Sequence, residues 1–310
     1  MTILSRLYSY VLLALLSLLP LGVPRAFAAH VLRTQAVEVI FDAPLDAPAR
    51  DLAKRFPEIR QSLETIFQWT FHQIPTITLV KDREDFLKMT RNPLTVAFAS
   101  HERNRIVIDH SRMIVAPFTL ETTLRHELCH ILLHQHIDRD RLPRWLDEGL
   151  CQWVSDSIGE MLQSQKQSAL NEAILARGQM SLKQIRYRFP EDRRGRLLAY
   201  DAGKSATAHM IRRYGKPRVI DLLHLMERGE PLEGAMVQIL AISLDSFETQ
   251  WHNTLKRKTT WFTFFSHYLY EILFSLMALL TIYGFIRSRI RKRNYRDEDE
   301  DDPINEEGSV

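Results

Sequence analysis

Residues 122–131 read Thr-Thr-Leu-Arg-His-Glu-Leu-Cys-His-Ile, and this segment constrains the chain more than any other. On a helix, His126 and His130 lie about 40° apart around the axis and about 6 Å apart along it. Both imidazoles then reach over one spot, where they can share a tetrahedral zinc ion. Glu127 falls about 100° round from His126, beside such an ion rather than on it, where a general base for a metal-bound water belongs. Leu120, Leu124, Leu128, Ile131 and Leu132 recur at spacings of three and four, so a core face is predicted behind the metal face. The pattern H-E-x-x-H specifies only three of its five positions, so the fold must bring in a third ligand.

Glu148, eighteen residues beyond His130, is the candidate. It lies in Leu142-Pro143-Arg144-Trp145-Leu146-Asp147-Glu148-Gly149-Leu150, a second helical segment. A carboxylate from that helix completes two histidines and leaves a fourth position open for water. The pair of segments, H-E-x-x-H then P-x-W-L-x-E-G-L, resembles the thermolysin-like gluzincin metallopeptidases. It is most similar to their small bacterial peptidase MA family, over roughly residues 35–256. The resemblance implies an α+β zincin fold, with a small mixed sheet lobe at the N-terminus and a helical lobe at the C-terminus. It also implies one Zn2+ held by His126, His130 and Glu148, and hydrolysis of peptide bonds in a peptide or protein substrate.

A competing pattern, H-E-x-x-H-x-x-G-x-x-H, would make His136 the third ligand, but Leu133 stands at its glycine position. Without glycine the helix continues and turns His136 about 120° away from His130, and His134 lies about 12 Å along the axis from His126. Both are read as surface or lobe-contact histidines.

The two ends of the chain carry a separate message. Of the 310 residues, 45% are hydrophobic and 25% charged, enough for one sizeable domain, and the net charge of +3 gives no sign of a nucleic-acid partner. Residues 1–28 read as a signal peptide: Arg6, an apolar run from Leu7 to Leu19, then Ala26-Phe27-Ala28 as a cleavage pattern. An uncleaved anchor helix is the alternative. Residues 262–286 read as a transmembrane helix, with Arg287, Arg289, Arg291, Lys292, Arg293 and Arg296 directly after it. That order predicts a plasma- or inner-membrane protein that spans once, with residues 29–260 outside the cytoplasm. Residues 287–310 form a cytoplasmic tail, disordered from the acidic run at Asp297 onward.

Between these ends, strands are predicted at 37–41 and 76–80, with a hairpin from 95–99 and 105–109. Helices are predicted at 47–69, 82–89, from Thr119 to His136, 145–157, 158–176, 181–186, 197–214, 219–227, 232–240 and 244–256. Residues 186–196 read as a solvated basic loop. In the resembling family an edge strand of the sheet lies above the catalytic helix, and one hairpin strand is expected to be that edge.

The resemblance also implies a downstream tyrosine that stabilises the oxyanion; Tyr200 is the candidate, with a packing role as its alternative and His209 ranked below it. The ordering of that helix, a Gly-terminated turn and Phe247-Glu248-x-x-Trp251 looks like the same small family. One departure is Gln152, where thermolysin-type enzymes carry an aspartate that supports a histidine ligand; Asp147 and Asp156 are possible substitutes. The alternative function is a zinc-binding but proteolytically silent, membrane-tethered adaptor. Cys129 and Cys151, the only cysteines, each lie three residues after a ligand. They allow either a disulfide or two packed free thiols, and the thiols are the preferred reading because a bridge beside the ligands risks distorting them.

Overall fold

The structure is a computed structural model that describes residues 29–90, 92–113, 118–155 and 180–300. The expected signal segment, the expected helix at 158–176 and the tail from 301 lie outside the described residues. The chain divides into two compact units: one runs to Arg139 and resumes at Leu150, the other holds Asp140–Gly149 and the chain from Gln163.

The first unit is built on a five-stranded mixed sheet. Its strands are β1 (Ala29–Arg33), β2 (Glu38–Asp42), β3 (Thr76–Val80), β4 (Ala97–Ser100) and β5 (Arg105–Asp109), in the order β1-β2-β3-β5-β4. The central three are parallel, and the two edges pair antiparallel to their neighbours. Alternation along the strands puts Val39, Phe41, Ile77, Leu79, Ile106 and Ile108, all buried, on one face. Helix α1 (Asp46–Phe67) packs on β2 and buries Leu52, Phe56, Ile59, Leu63 and Phe67. Each such side chain contributes about 1.5–3 kcal/mol. On the other face Val80, Phe98 and Val107 pack with Phe86 of α2 (Arg83–Thr90).

The predicted hairpin is present, and β4 is the edge, packed against helix α3 (Leu120–His136). Arg83 fastens the approach to β4, donating to the buried Asp109 carboxylate at 2.8 Å and to the carbonyls of Thr95 and Pro93. Strand β1 was not anticipated: it is short, has one neighbour, and leaves Val31 exposed, so its pattern carries little hydrophobic signal. It begins one residue past Ala26-Phe27-Ala28.

Helix α4 (Arg144–Ser155) is uninterrupted and contributes its first half to the second unit and its second half to the first. Among the described residues, the second unit otherwise holds α5 (Arg193–Tyr214), α6 (Lys216–Glu227), a single helical turn Leu232–Ala235 that continues as a π-helical stretch Met236–Leu240, and α7 (Leu244–Glu300). The F-E-x-x-W segment is scaffolding here. Phe247 stacks on Trp145, Glu248 accepts from Leu182 N, and Trp251 Nε1 donates to Ser205 Oγ at 3.0 Å.

Several boundaries differ from expectation. Residues 181–186 form a turn rather than a helix, because Glu248 takes up Leu182 N and Ser181 Oγ. The tyrosine-bearing helix starts at Arg193, not Leu197, because Asp192 caps it, accepting from Gly195 N at 2.8 Å. The helices expected at 244–256 and 262–286 are a single helix, α7, which continues to Glu300 into the acidic run read as disordered. Arg, Lys and Glu are good helix formers, and no Gly or Pro interrupts 285–300. Within α7, Ile272–Arg289 has a mean hydropathy of 1.4 and no buried residue, and is long and apolar enough to cross a membrane. Its 18 residues rise about 27 Å, close to a hydrocarbon core of about 30 Å.

Candidate metal centre

Helix α3 begins where the sequence places it. Thr119 is extended (φ −124°, ψ 152°) and its Oγ1 accepts from Thr122 N. Leu124, Leu128, Ile131 and Leu132 are buried along one side, anchored against α1, and Arg125 reaches Ser62 Oγ at 2.9 Å. Those contacts hold the helix in rotation. The remaining side carries His126, Glu127 and His130, all buried.

The Nε2 atoms of His126 and His130 are 3.1 Å apart, with the rings nearly perpendicular at 86°. Two nitrogens at about 2.05 Å from a tetrahedral ion are about 3.3 Å apart, so the pair fits a shared metal. Glu148 is on α4, one turn before Cys151, and is also buried. One nitrogen from each histidine and a carboxylate oxygen of Glu148 all lie within 4.8 Å of one another, a group that could hold a metal ion. Two neutral nitrogens and one carboxylate make a donor set suited to zinc. The three residues named as candidate ligands thus fall in one group of buried side chains.

Contrary to the preferred sequence reading, Cys129 and Cys151 form a disulfide. Their Cα atoms are 5.3 Å apart, well inside the range a bridge needs, so no helix has to move to make it. Both cysteines are fully buried.

Sequence reasoning missed Arg144. It lies four residues before Glu148 on the same helix, with its guanidinium 3.7 Å from Glu148 Oε1 and 4.7 Å over the Phe189 ring. The i, i+4 spacing of opposite charges was the available signal. Phe189 also meets Tyr200 edge-on at 5.2 Å, which places the candidate tyrosine within the second unit next to Arg144's support. His209 is buried against Phe247 at 5.6 Å between ring centres.

The outer histidines of α3 sit away from the ligand group. His136 stacks on Trp69 at 4.5 Å, and its Nε2 is 2.9 Å from the Thr70 carbonyl oxygen. His134 packs on His101 at 4.0 Å and, with His72, Gln73 and Asn104, lines a separate cavity of about 210 Å³. Gln152 is buried, and among the described residues no hydrogen-bond donor reaches its amide oxygen. Asp147 has a carboxylate oxygen within 4.8 Å of a His130 nitrogen, in a second group completed by the Cys151 sulfur. Because that sulfur is bonded to Cys129, the second group is no ligand set, and Asp147 is left as the carboxylate beside His130. Asp156 lies outside the described residues.

A sequence model of the Peptidase MA superfamily matches residues 94–257, more than half of the chain, and this span holds His126, Glu127, His130, Glu148 and Tyr200. No curated protein matches the chain.

Proposed function

Because the chain belongs to the Peptidase MA superfamily, we propose that it is a zinc metallopeptidase of the gluzincin type, tethered to a membrane by α7. The observation that carries this reading is the convergence of His126, His130 and Glu148, with the buried Glu127 next to His126 on the same helix. Zinc held by the three ligands would act as a Lewis acid and lower the pKa of a water toward about 7.

The chain's own residues do the rest. Glu127 accepts the proton of the attacking water and delivers it to the leaving amine nitrogen. The water oxygen bonds to the carbonyl carbon, and the tetrahedral species then collapses as the C–N bond breaks, giving a carboxylate and the protonated amine with no acyl-enzyme. Tyr200 donates a hydrogen bond to the developing oxyanion, a contribution on the order of 3 kcal/mol. Edge strand β4 offers unpaired backbone groups to an extended peptide. Asp147 holds His130 in the ring orientation the metal needs, the part an aspartate at the Gln152 position plays elsewhere.

The cationic run after residue 286 favours a cytoplasmic C-terminus, which puts residues 29–260 in the periplasm or outside the cell. The Cys129–Cys151 disulfide suits that oxidising compartment. The test is Glu127→Gln in the full chain: it should retain zinc and lose peptide cleavage. A wild type that holds zinc yet cleaves nothing in a broad peptide library would favour the silent adaptor.

A further inference from the structure

The disulfide and the ligands are arranged in parallel on their two helices. On α3, Cys129 is one turn beyond His126 and immediately precedes His130; on α4, Cys151 is one turn beyond Glu148. A bridge between residues 129 and 151 therefore fixes the two helix segments to each other within one turn of every ligand. From the other side α4 is held at Gly203, where a β-carbon would lie 2.6 Å from the Trp145 carbonyl oxygen. Glu148 sits between these two attachments, three residues from each of Trp145 and Cys151.

Resting on the metallopeptidase reading, we propose that the Cys129–Cys151 bridge is the positioning device of the metal centre. It sets Glu148 against His126 and His130 before any ion arrives, so the oxidised chain binds a divalent ion more tightly than the same chain without the bridge. The argument is one of preorganisation. Without the covalent tie, the carboxylate helix must be ordered by the metal itself, and that ordering is subtracted from binding. Other groups that orient metal ligands change affinity by about 10–100-fold, and the bridge should act on that scale. Full burial of both sulfurs keeps small thiols away, so the bridge is a fixed part of the site once formed.

The experiment compares the full chain in detergent, wild type and C129A/C151A, by chelator competition with zinc and by hydrogen exchange of residues 144–155 in the metal-free state. The expected result is a 10–100-fold weaker zinc affinity in the variant at unchanged one-to-one stoichiometry, and faster exchange over α4. C129V/C151A, which restores apolar volume, guards against a variant that fails to fold, judged by near-ultraviolet circular dichroism. Equal zinc affinity in bridged and unbridged folded proteins would overturn the inference and leave the metallopeptidase reading intact. A bridged wild type that binds no zinc would overturn both.

Discussion

Gly203 on α5 meets the backbone of α4 at Trp145, where a β-carbon would sit 2.6 Å from the Trp145 carbonyl oxygen. Gly149, directly after Glu148, makes the reciprocal contact: a β-carbon there would collide with the Gly203 carbonyl and Thr207 Oγ1. The glycine of the W-L-x-E-G segment is thus required by helix contact rather than by backbone dihedrals. In an open helix, Gly→Ala stabilises by up to about 1 kcal/mol. Here Gly149→Ala and Gly203→Ala should both lower the melting temperature, since each would meet a backbone carbonyl that cannot rotate away. Overpacking of this kind costs about 1–3 kcal/mol, read from thermal or denaturant unfolding.

The ligand set separates by mutation. Glu148→Ala and His130→Ala should each abolish stoichiometric zinc binding, measured by metal analysis after gel filtration. His136→Ala should keep the metal, because its ring is taken up by Trp69 and the Thr70 carbonyl. Zinc retained by Glu148→Ala and lost from His136→Ala would hand the site to the competing three-histidine pattern.

Tyr200→Phe removes one hydroxyl and leaves the Phe189 contact in place. An oxyanion donor lost in this way costs about 100–1,000-fold in kcat. Zinc content and melting temperature should not change. An unaltered kcat would return Tyr200 to packing.

Acid should weaken the fold through His252. Burial pushes its imidazole below the ordinary value of 6.5, with Lys256 also lowering it and Glu248 opposing. The folded state therefore favours the neutral ring, while the unfolded chain takes up a proton near pH 6.5. Stability is complete above that pH and is lost as pH falls from about 6.5 through the lower folded value. His110, also lowered by burial, adds in the same direction. His252→Asn should flatten the slope of unfolding free energy against pH below about 6.5, and an unchanged slope would remove His252 from the account.

Membrane orientation can be read with fusions. A reporter active only outside the cytoplasm should work when fused near residue 255 and fail after residue 296. The reverse pattern would invert the proposed topology.

Much of this chain was legible as local pattern. The strands β2, β3 and β5, the capped start of α3 at Thr119 and the placing of His126 and His130 on one face all follow from spacing that one helix or strand dictates by itself, whereas Glu148 was named as a ligand through a family resemblance. The apolar stretch before the Arg-rich run at 287–296 belongs with them, since length and hydropathy need no partner to be read. Where the reading slipped, the cause was in one case a contact distant in sequence and in another a local propensity that was underrated. Glu248 made a turn of 181–186, and α7 ran on where two helices were expected.

The cysteines show the limit most clearly. Sequence alone determined that Cys129 and Cys151 each lie one turn beyond a candidate ligand, and it allowed both a bridge and a thiol pair. Only the tertiary structure decided between them, because a disulfide depends on a Cα separation, here 5.3 Å, that is set by how α3 and the second half of α4 pack. The same holds for Gly149: its place after Glu148 is visible in the sequence, but the backbone it presses against, 54 residues later at Gly203, exists only in the fold. Periodicity determines which face of a helix is apolar, whereas the distance between two faces is a property of the packed core.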